Sequence, residues 1–238
     1  MHEMILGDLK MRLAGGVDGK GGGDGPLVIL LHGFGAPGDD LVPLAGVMDV
    51  PAGTRWCFPE APLSLSMGHG DSRAWWMIDM MRIQADREAG RIRDLSQEVP
   101  KGLALAREHL LRFLKELPRQ LRVDYARTVI GGFSQGAMLT CDAVLHTDYP
   151  FAGLVQLSGA LLAQPVWGPL IVRRKGLPVF QSHGTHDEIL SYLGAERLRD
   201  ALMRAGLVVN WNSFRGGHEI PGSVLRALNA FLRTVLVK

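Results

Sequence analysis

The stretch Thr128-Val129-Ile130-Gly131-Gly132-Phe133-Ser134-Gln135-Gly136 decides how this chain folds. A β-branched, apolar run feeds a G-x-S-x-G pentapeptide, and an apolar segment that reads as a helix follows at residues 135–146. A serine hydroxyl is a poor nucleophile until a base removes its proton, and it must stand clear of the backbone to reach a carbonyl carbon. A sharp strand-to-helix turn does the second job by holding the serine in a strained conformation, which crowds the positions two before and two after it. Gly132 and Gly136 occupy those positions. In a chain with 30 glycines the pentapeptide can arise by chance, so it is the strand before and the helix after that mark Ser134 as a nucleophile.

Outward from this turn, periodicity and punctuation give a repeating alternation. Residues 10–14 suggest a first edge strand, the glycine-rich residues 15–25 a hairpin connection, and residues 26–31 a buried strand. Residues 54–58 read as another strand. Leu103, Ala106, Leu110, Phe113, Leu114 and Leu117 recur at helical spacing, with Arg107, Glu108, Arg112 and Lys115 on the other face, which predicts a helix covering a sheet. Four more strands are expected at residues 128–133, 151–158, 177–182 and 207–214, with helices at 135–146 and 194–205 and a closing amphipathic helix carrying Val224, Leu228, Phe231 and Val235. Alternating strands and helices imply right-handed crossovers, a mostly parallel sheet and helices on both faces. Ligands in such sheets bind at the carboxyl ends of the strands.

Length and charge narrow the class further. At 238 residues and 47% hydrophobic, the chain is long enough for one large core, and a single domain over residues 1–238 is expected. The net charge of +2 is the difference between 26 basic and 24 acidic residues that are interspersed along the chain, so no nucleic-acid partner is indicated. The one tight basic cluster, Arg173-Arg174-Lys175, precedes Gly176-Leu177-Pro178 and reads as a solvated loop. No signal-peptide core or transmembrane segment is visible, and a cytoplasmic protein is expected. Cys57 and Cys141 are too few for a disulfide framework and are expected to be reduced and buried.

A serine nucleophile in this context needs an acid and then a histidine at later strand ends. After the strand at 177–182 comes Ser182-His183-Gly184-Thr185-His186-Asp187-Glu188, which places Asp187 in a loop beyond a strand terminus. After the strand at 207–214 comes Arg215-Gly216-Gly217-His218-Glu219-Ile220, which places His218 in a glycine-flanked loop. His218 would take the serine proton and return it to the leaving group, while Asp187 fixes the tautomer and stabilises the imidazolium. Glu188 is the rival acid, one residue later and a methylene longer. For the oxyanion, one N–H donor is expected from Gln135, the residue after the nucleophile, and a second from Phe34 in the loop His32-Gly33-Phe34-Gly35. His32 leaves a strand end before this glycine turn and is expected to brace the loop.

These residues resemble the phospholipase/carboxylesterase family of α/β-hydrolases, which contains bacterial carboxylesterases and acyl-protein thioesterases. Four blocks carry the resemblance: LHGFGA from Leu31, FPEAP from Phe58, GGFSQGA from Gly131 and GGHEI from Gly216. It implies an α/β-hydrolase fold without a large cap and hydrolysis of carboxylic esters or thioesters without a metal or organic cofactor. Two blocks depart from the family. Its acid loop usually continues aspartate-proline-apolar-valine-proline, whereas this chain reads Asp187-Glu188-Ile189-Leu190-Ser191; and Ser72-Arg73-Ala74-Trp75-Trp76-Met77-Ile78-Asp79 echoes the family's tryptophan–aspartate stretch before an unfamiliar charged run.

Within residues 63–98, Leu65, Met67, Trp75 and Trp76 are the expected substrate-binding residues, with Met77, Met80 and Met81 nearby, because methionine beside aromatic rings suits an irregular acyl group. The same apolar residues could instead pack a subdomain, the expected role of Met80 and Met81, or line a homodimer interface. With no room for a large cap, the expected site is shallow and open, and the expected substrate a short- to medium-chain ester. A lysophospholipase or acyl-thioesterase shares the same chemistry and is the nearest alternative. A binding protein on a hydrolase scaffold would typically lack one triad member, and none is missing. A zinc site at His183, His186 and Asp187 does not match helical ligand spacing.

Overall fold

In the computed structural model, which describes residues 1–65, 71–90 and 94–237, the apolar runs become a nine-stranded sheet with helices on both faces. The chain runs through β1 (His2–Leu6), β2 (Leu9–Gly16), β3 (Lys20–Gly22), β4 (Leu27–Leu31), α1 (Leu44–Val47), β5 (Arg55–Pro59), β6 (Leu63–Ser64), β7 (Arg73–Ala74), α2 (Met80–Glu88), α3 (Leu103–Gln120), β8 (Thr128–Phe133), α4 (Gln135–Leu145), β9 (Gly153–Leu157), α5 (Gln164–Ile171), β10 (Pro178–Gly184), α6 (Tyr192–Arg204), β11 (Val208–Phe214) and α7 (Gly222–Leu236). The strand order is β1-β2-β5-β4-β8-β9-β10-β11, with β3 beside β2 and a separate two-stranded β6-β7 ribbon. β2 is antiparallel to both β1 and β5, and every pairing from β5 through β11 is parallel.

The two faces of the sheet follow from the period of two along each strand. Val28 and Leu30 of β4, Val129 of β8 and Val155 of β9 pack with Leu228 and Phe231 of α7 on one face. Their neighbours Ile29, Leu31, Ile130 and Leu154 pack on the other face with the apolar stripes of α3, α4 and α6. The stripe read in α3, from Leu103 to Leu117, is the one it buries. Its polar face is tied down as well: Arg107 Nη1 lies 3.0 Å from Oδ2 of the fully buried Asp142, whose other oxygen accepts from Trp167 Nε1 at 2.8 Å.

Three expectations need correction. The glycine-rich stretch is no hairpin connection, because β2 pairs with β1 and β5 and the chain must pass β5 to enter β4. The buried Arg55 holds that passage, with Nε donating to Gly25 O at 2.9 Å and Nη2 to Arg122 O at 2.6 Å. The basic cluster at 173–175 is not simply solvated: Arg174 donates to Val144 O at 2.7 Å and Tyr149 O at 3.1 Å, fastening the chain after α4. Residues 10–14, expected as the first edge strand, lie in β2 between β1 and β5, because His2–Leu6 pairs outside it as the edge. Cys57 and Cys141 are buried free thiols, and burial pushes the pKa of both upward. Among the described residues, no helix is long and apolar enough to cross a membrane and no large cap stands over the sheet.

Candidate active site

Ser134 sits where β8 ends and α4 begins, with φ 54° and ψ −115°, a conformation that non-glycine residues rarely adopt. Its N–H donates to Leu157 O at 2.8 Å, and its carbonyl accepts from Met138 N at 3.1 Å as the helix starts. The flanking glycines are a steric requirement: a Cβ at Gly132 would lie 2.5 Å from Leu31 O, and one at Gly136 would lie 2.6 Å from His32 O. The turn therefore packs directly on the end of β4. Gln135 is the first residue of α4, so its N–H has no partner within the helix.

The acid and histidine loops leave adjacent parallel strands and are sewn together by backbone bonds, Thr185 N to Phe214 O and His186 N to Gly216 O, both 2.9 Å. Asp187, rather than its neighbour Glu188, receives the histidine: His218 Nδ1 lies 2.6 Å from Asp187 Oδ2. The other oxygen, Oδ1, accepts from Ile189 N at 2.8 Å and Leu190 N at 2.9 Å. Burial alone would raise the Asp187 pKa, but the hydrogen bond and charge of His218, with the two amides, outweigh it and hold the carboxyl below its ordinary value. With Nδ1 donating to Asp187, the opposite ring nitrogen of His218 is left as an acceptor. The His218 ring leans on Phe133, the residue before Ser134, with centroids 4.8 Å apart.

The loop after β4 is braced by His32, as expected. His32 is 2% exposed, its Nδ1 lies 2.8 Å from Gly33 O, and its Nε2 accepts from Ala61 N at 2.9 Å. Because Nε2 accepts an N–H the ring serves as a neutral strut, and burial pushes its pKa below the ordinary histidine value. The side chain of Gln135 does work that the sequence reading did not assign: Oε1 accepts from Trp75 N at 2.9 Å and Nε2 donates to Trp76 O at 2.8 Å. The glutamine of GFSQG was the signal for this.

Ser134, His218, Phe34 and Gln135 all line one cavity of about 580 Å³, within the span of about 300–1,000 Å³ typical of ligand pockets. Its walls are apolar, from Met138, Leu161, Leu162, Val99, Ile189 and Leu190, and it also touches Asp79, Arg82, Glu98 and Lys101. Arg82 pairs with Glu98 at 3.3 Å. α2 and residues 95–101 build up one side, so the site is more enclosed than the shallow cleft expected.

Of the expected substrate wall, Trp76 lines the cavity, and Met77 joins it while 61% exposed. Trp75 does not. Its ring is buried and its Nε1 donates to His32 O at 3.0 Å, so it packs behind the loop. Leu65 is also buried and lies outside the cavity lining. Met67 lies outside the described residues, as does the side chain of Met80, while Met81 is 85% exposed rather than packed. His183 is buried against Leu190 O at 2.9 Å and His186 is exposed; among the described residues no group of three or more metal-binding side chains forms.

Comparisons with known proteins give the family and the fold. The family described as Phospholipase/Carboxylesterase matches residues 17–236. Acyl-protein thioesterase 1 of Cryptococcus neoformans is 31% identical over 192 residues, covering 74% of this chain and 72% of the relative. The Candida albicans protein of the same name is 25% identical, covering 89% and 92%. Among solved structures, esterase PE8 is 29% identical with a TM-score of 0.79, covering 96% of this chain and 99% of that one. The Bacillus cereus carboxylesterase, 21% identical with a TM-score of 0.69 and covering 95% and 94%, shares the fold.

Proposed function

We propose that this chain, which belongs to the phospholipase/carboxylesterase family and is an ester hydrolase, works through Ser134 as nucleophile, His218 as general base and Asp187 as the group that orients it. The observation that carries the reading is the strained Ser134 turn opening on the same apolar cavity as a His218 ring held by a buried carboxylate. As Ser134 Oγ bonds to the substrate carbonyl carbon, its proton passes to the free nitrogen of His218. The carbonyl oxygen becomes an oxyanion facing the N–H groups of Phe34 and Gln135. Collapse breaks the bond to the alcohol or thiol, which leaves with the His218 proton, and water repeats the sequence to release the acid. The chemistry requires no metal or organic cofactor.

The substrate in this reading is a small-molecule ester of a short- to medium-chain acid, with the acyl group against Trp76, Met138 and Leu161. Thioester hydrolysis is the second reading, favoured by relatives named acyl-protein thioesterase 1. One domain spanning the chain and a cytoplasmic setting complete the proposal, the latter suited to two free thiols. The test is hydrolysis of p-nitrophenyl acetate, butyrate, octanoate and palmitate, and of a palmitoyl thioester, by the wild type and Ser134→Ala. Loss of nearly all activity in Ser134→Ala with a maximum at butyrate or octanoate is expected. An active Ser134→Ala variant would overturn the mechanism, and a steady rise to palmitate or a preference for the thioester would overturn the substrate class.

A further inference from the structure

A carboxylate buried just past the end of an interior strand calls for an explanation, because desolvating a charged group is unfavourable unless opposite charge and hydrogen bonds compensate. Glu60, just past β5, is 6% exposed. Its Oε2 lies 2.8 Å from Nη1 of the buried Arg12 and its Oε1 lies 3.2 Å from Nη2 of Arg73, with Lys10 Nζ 3.8 Å away. None of these four residues lines the cavity, so the cluster does not contact a ligand there.

Its contacts lead instead to the loop that carries Phe34. The Gly35 N–H donates to Arg73 O at 2.8 Å, and the Arg73 N–H donates to Ala36 O at 3.0 Å, so the backbone of residue 73 clasps the loop from both sides. Two residues further on, Arg12 Nη1 also donates to Gly38 O at 3.0 Å. A Cβ at Gly38 would lie 2.7 Å from Glu60 Cγ, so the loop also packs on the Glu60 side chain itself. Adjacent to Glu60, Ala61 N–H holds His32 at the start of the loop. One carboxylate thus anchors the loop through Arg73 at residues 35–36 and through Arg12 at residue 38.

We propose that Glu60 is a positioning residue for catalysis: paired with Arg73 and Arg12, it sets where the Phe34 N–H points relative to Ser134. The inference rests on the proposed reading that Phe34 and Gln135 receive the oxyanion. A donor aimed at the oxyanion matters in the transition state and little in the ground state. Loosening its loop therefore lowers kcat and leaves KM nearly unchanged.

The experiment compares wild type, Glu60→Gln, Arg73→Gln and the double variant on p-nitrophenyl butyrate, with Ser134→Ala in parallel. It also measures inhibition by butylboronic acid, whose adduct with a serine places an oxygen in the oxyanion position, and by butyrate. Each single variant is expected to lose about tenfold to a hundredfold in kcat, since a misplacement of about 1 Å costs on the order of 10². Boronic acid affinity should fall with kcat while KM and butyrate inhibition hold, and the double variant should lose no more than the worse single one, because both act through one clasp. Unchanged kcat, an equal loss of butyrate and boronic acid affinity, or losses that multiply in the double variant would each overturn the proposal. Should Glu60→Gln fail to fold, Arg73→Gln against Arg73→Lys decides, with kcat loss in the glutamine variant and recovery in the lysine variant expected. Activity surviving in Ser134→Ala would instead refute the underlying site, so the two failures are distinguishable.

Discussion

Replacing Gly136 by alanine adds one methyl group where the Ser134 turn packs on the end of β4. The new Cβ would stand 2.6 Å from His32 O and closer still to Leu31 O, both backbone atoms, whereas ordinary contact begins at 3.4 Å. Relief of the closer contact, with Leu31 O, requires α4 and the end of β4 to part by slightly more than 1 Å, and neither a rotamer change nor a flexible neighbour can supply it. That parting separates Gln135, which precedes the new methyl, from the loop that carries Phe34. A shift of about 1 Å in a catalytic constellation costs on the order of 10²-fold, or about 2.7 kcal/mol in barrier. Overpacking lowers stability by about 1–3 kcal/mol at the same time. Steady-state kinetics on p-nitrophenyl butyrate, with urea unfolding at the assay temperature, would read both. Gly168→Ala in α5 is the control: nothing beyond its own helix lies within 4 Å of its would-be Cβ, so it should keep full activity, while Pro169 next to it offsets the helix gain of alanine. A Gly136→Ala enzyme that folds and turns over at the wild-type rate would refute the steric account of the turn.

Asp187→Asn keeps the size of the side chain but reverses the tautomer preference of His218, and kcat should drop by about 10⁴-fold; a loss below tenfold would reassign the orienting group. Val99→Trp fills the cavity from a position 59% exposed, so it should lower kcat/KM for octanoate several-fold and spare acetate; an equal fall for both esters would place the acyl group elsewhere. Burial holds His32 and His183 below the ordinary histidine value of 6.5. The unfolded chain therefore takes up protons that the folded chain refuses, so their contribution to stability is complete above about pH 6.5 and is lost as pH falls from there through their lowered folded values. Tm measured across that window should decline less steeply in His183→Gln than in wild type, and parallel curves would remove His183 from the account.

The turn at Ser134 and the places of Asp187 and His218 beyond later strand ends were legible because each rests on a local rule. Glycines two residues either side of the serine answer a steric demand within one turn, and strand ends are marked by the change from period two to period 3.6. The contact of His218 with Asp187 was legible for a similar reason, since a one-residue offset changes which side chain reaches the neighbouring loop. The hairpin expected at residues 15–25 failed because strand order is a property of the sheet: nothing local in a glycine-rich connection says that β5 will be inserted between β2 and β4.

What the sequence by itself determined was the strained turn, the two loops that converge on it and the alternation that makes the sheet, all of them consequences of backbone sterics and periodicity over a few residues. Tertiary structure alone decided which of two adjacent tryptophans faces the cavity. Gln135 holds the backbone on both sides of that step, so the Trp75 ring turns to His32 and Trp76 to the cavity. It alone also drew the cavity's walls from residues 95–101, 160–162 and 189–190 and joined Glu60, Arg73 and Arg12 behind the Phe34 loop. Those contacts bring together segments far apart in the chain, and their energies depend on distances that no local pattern encodes.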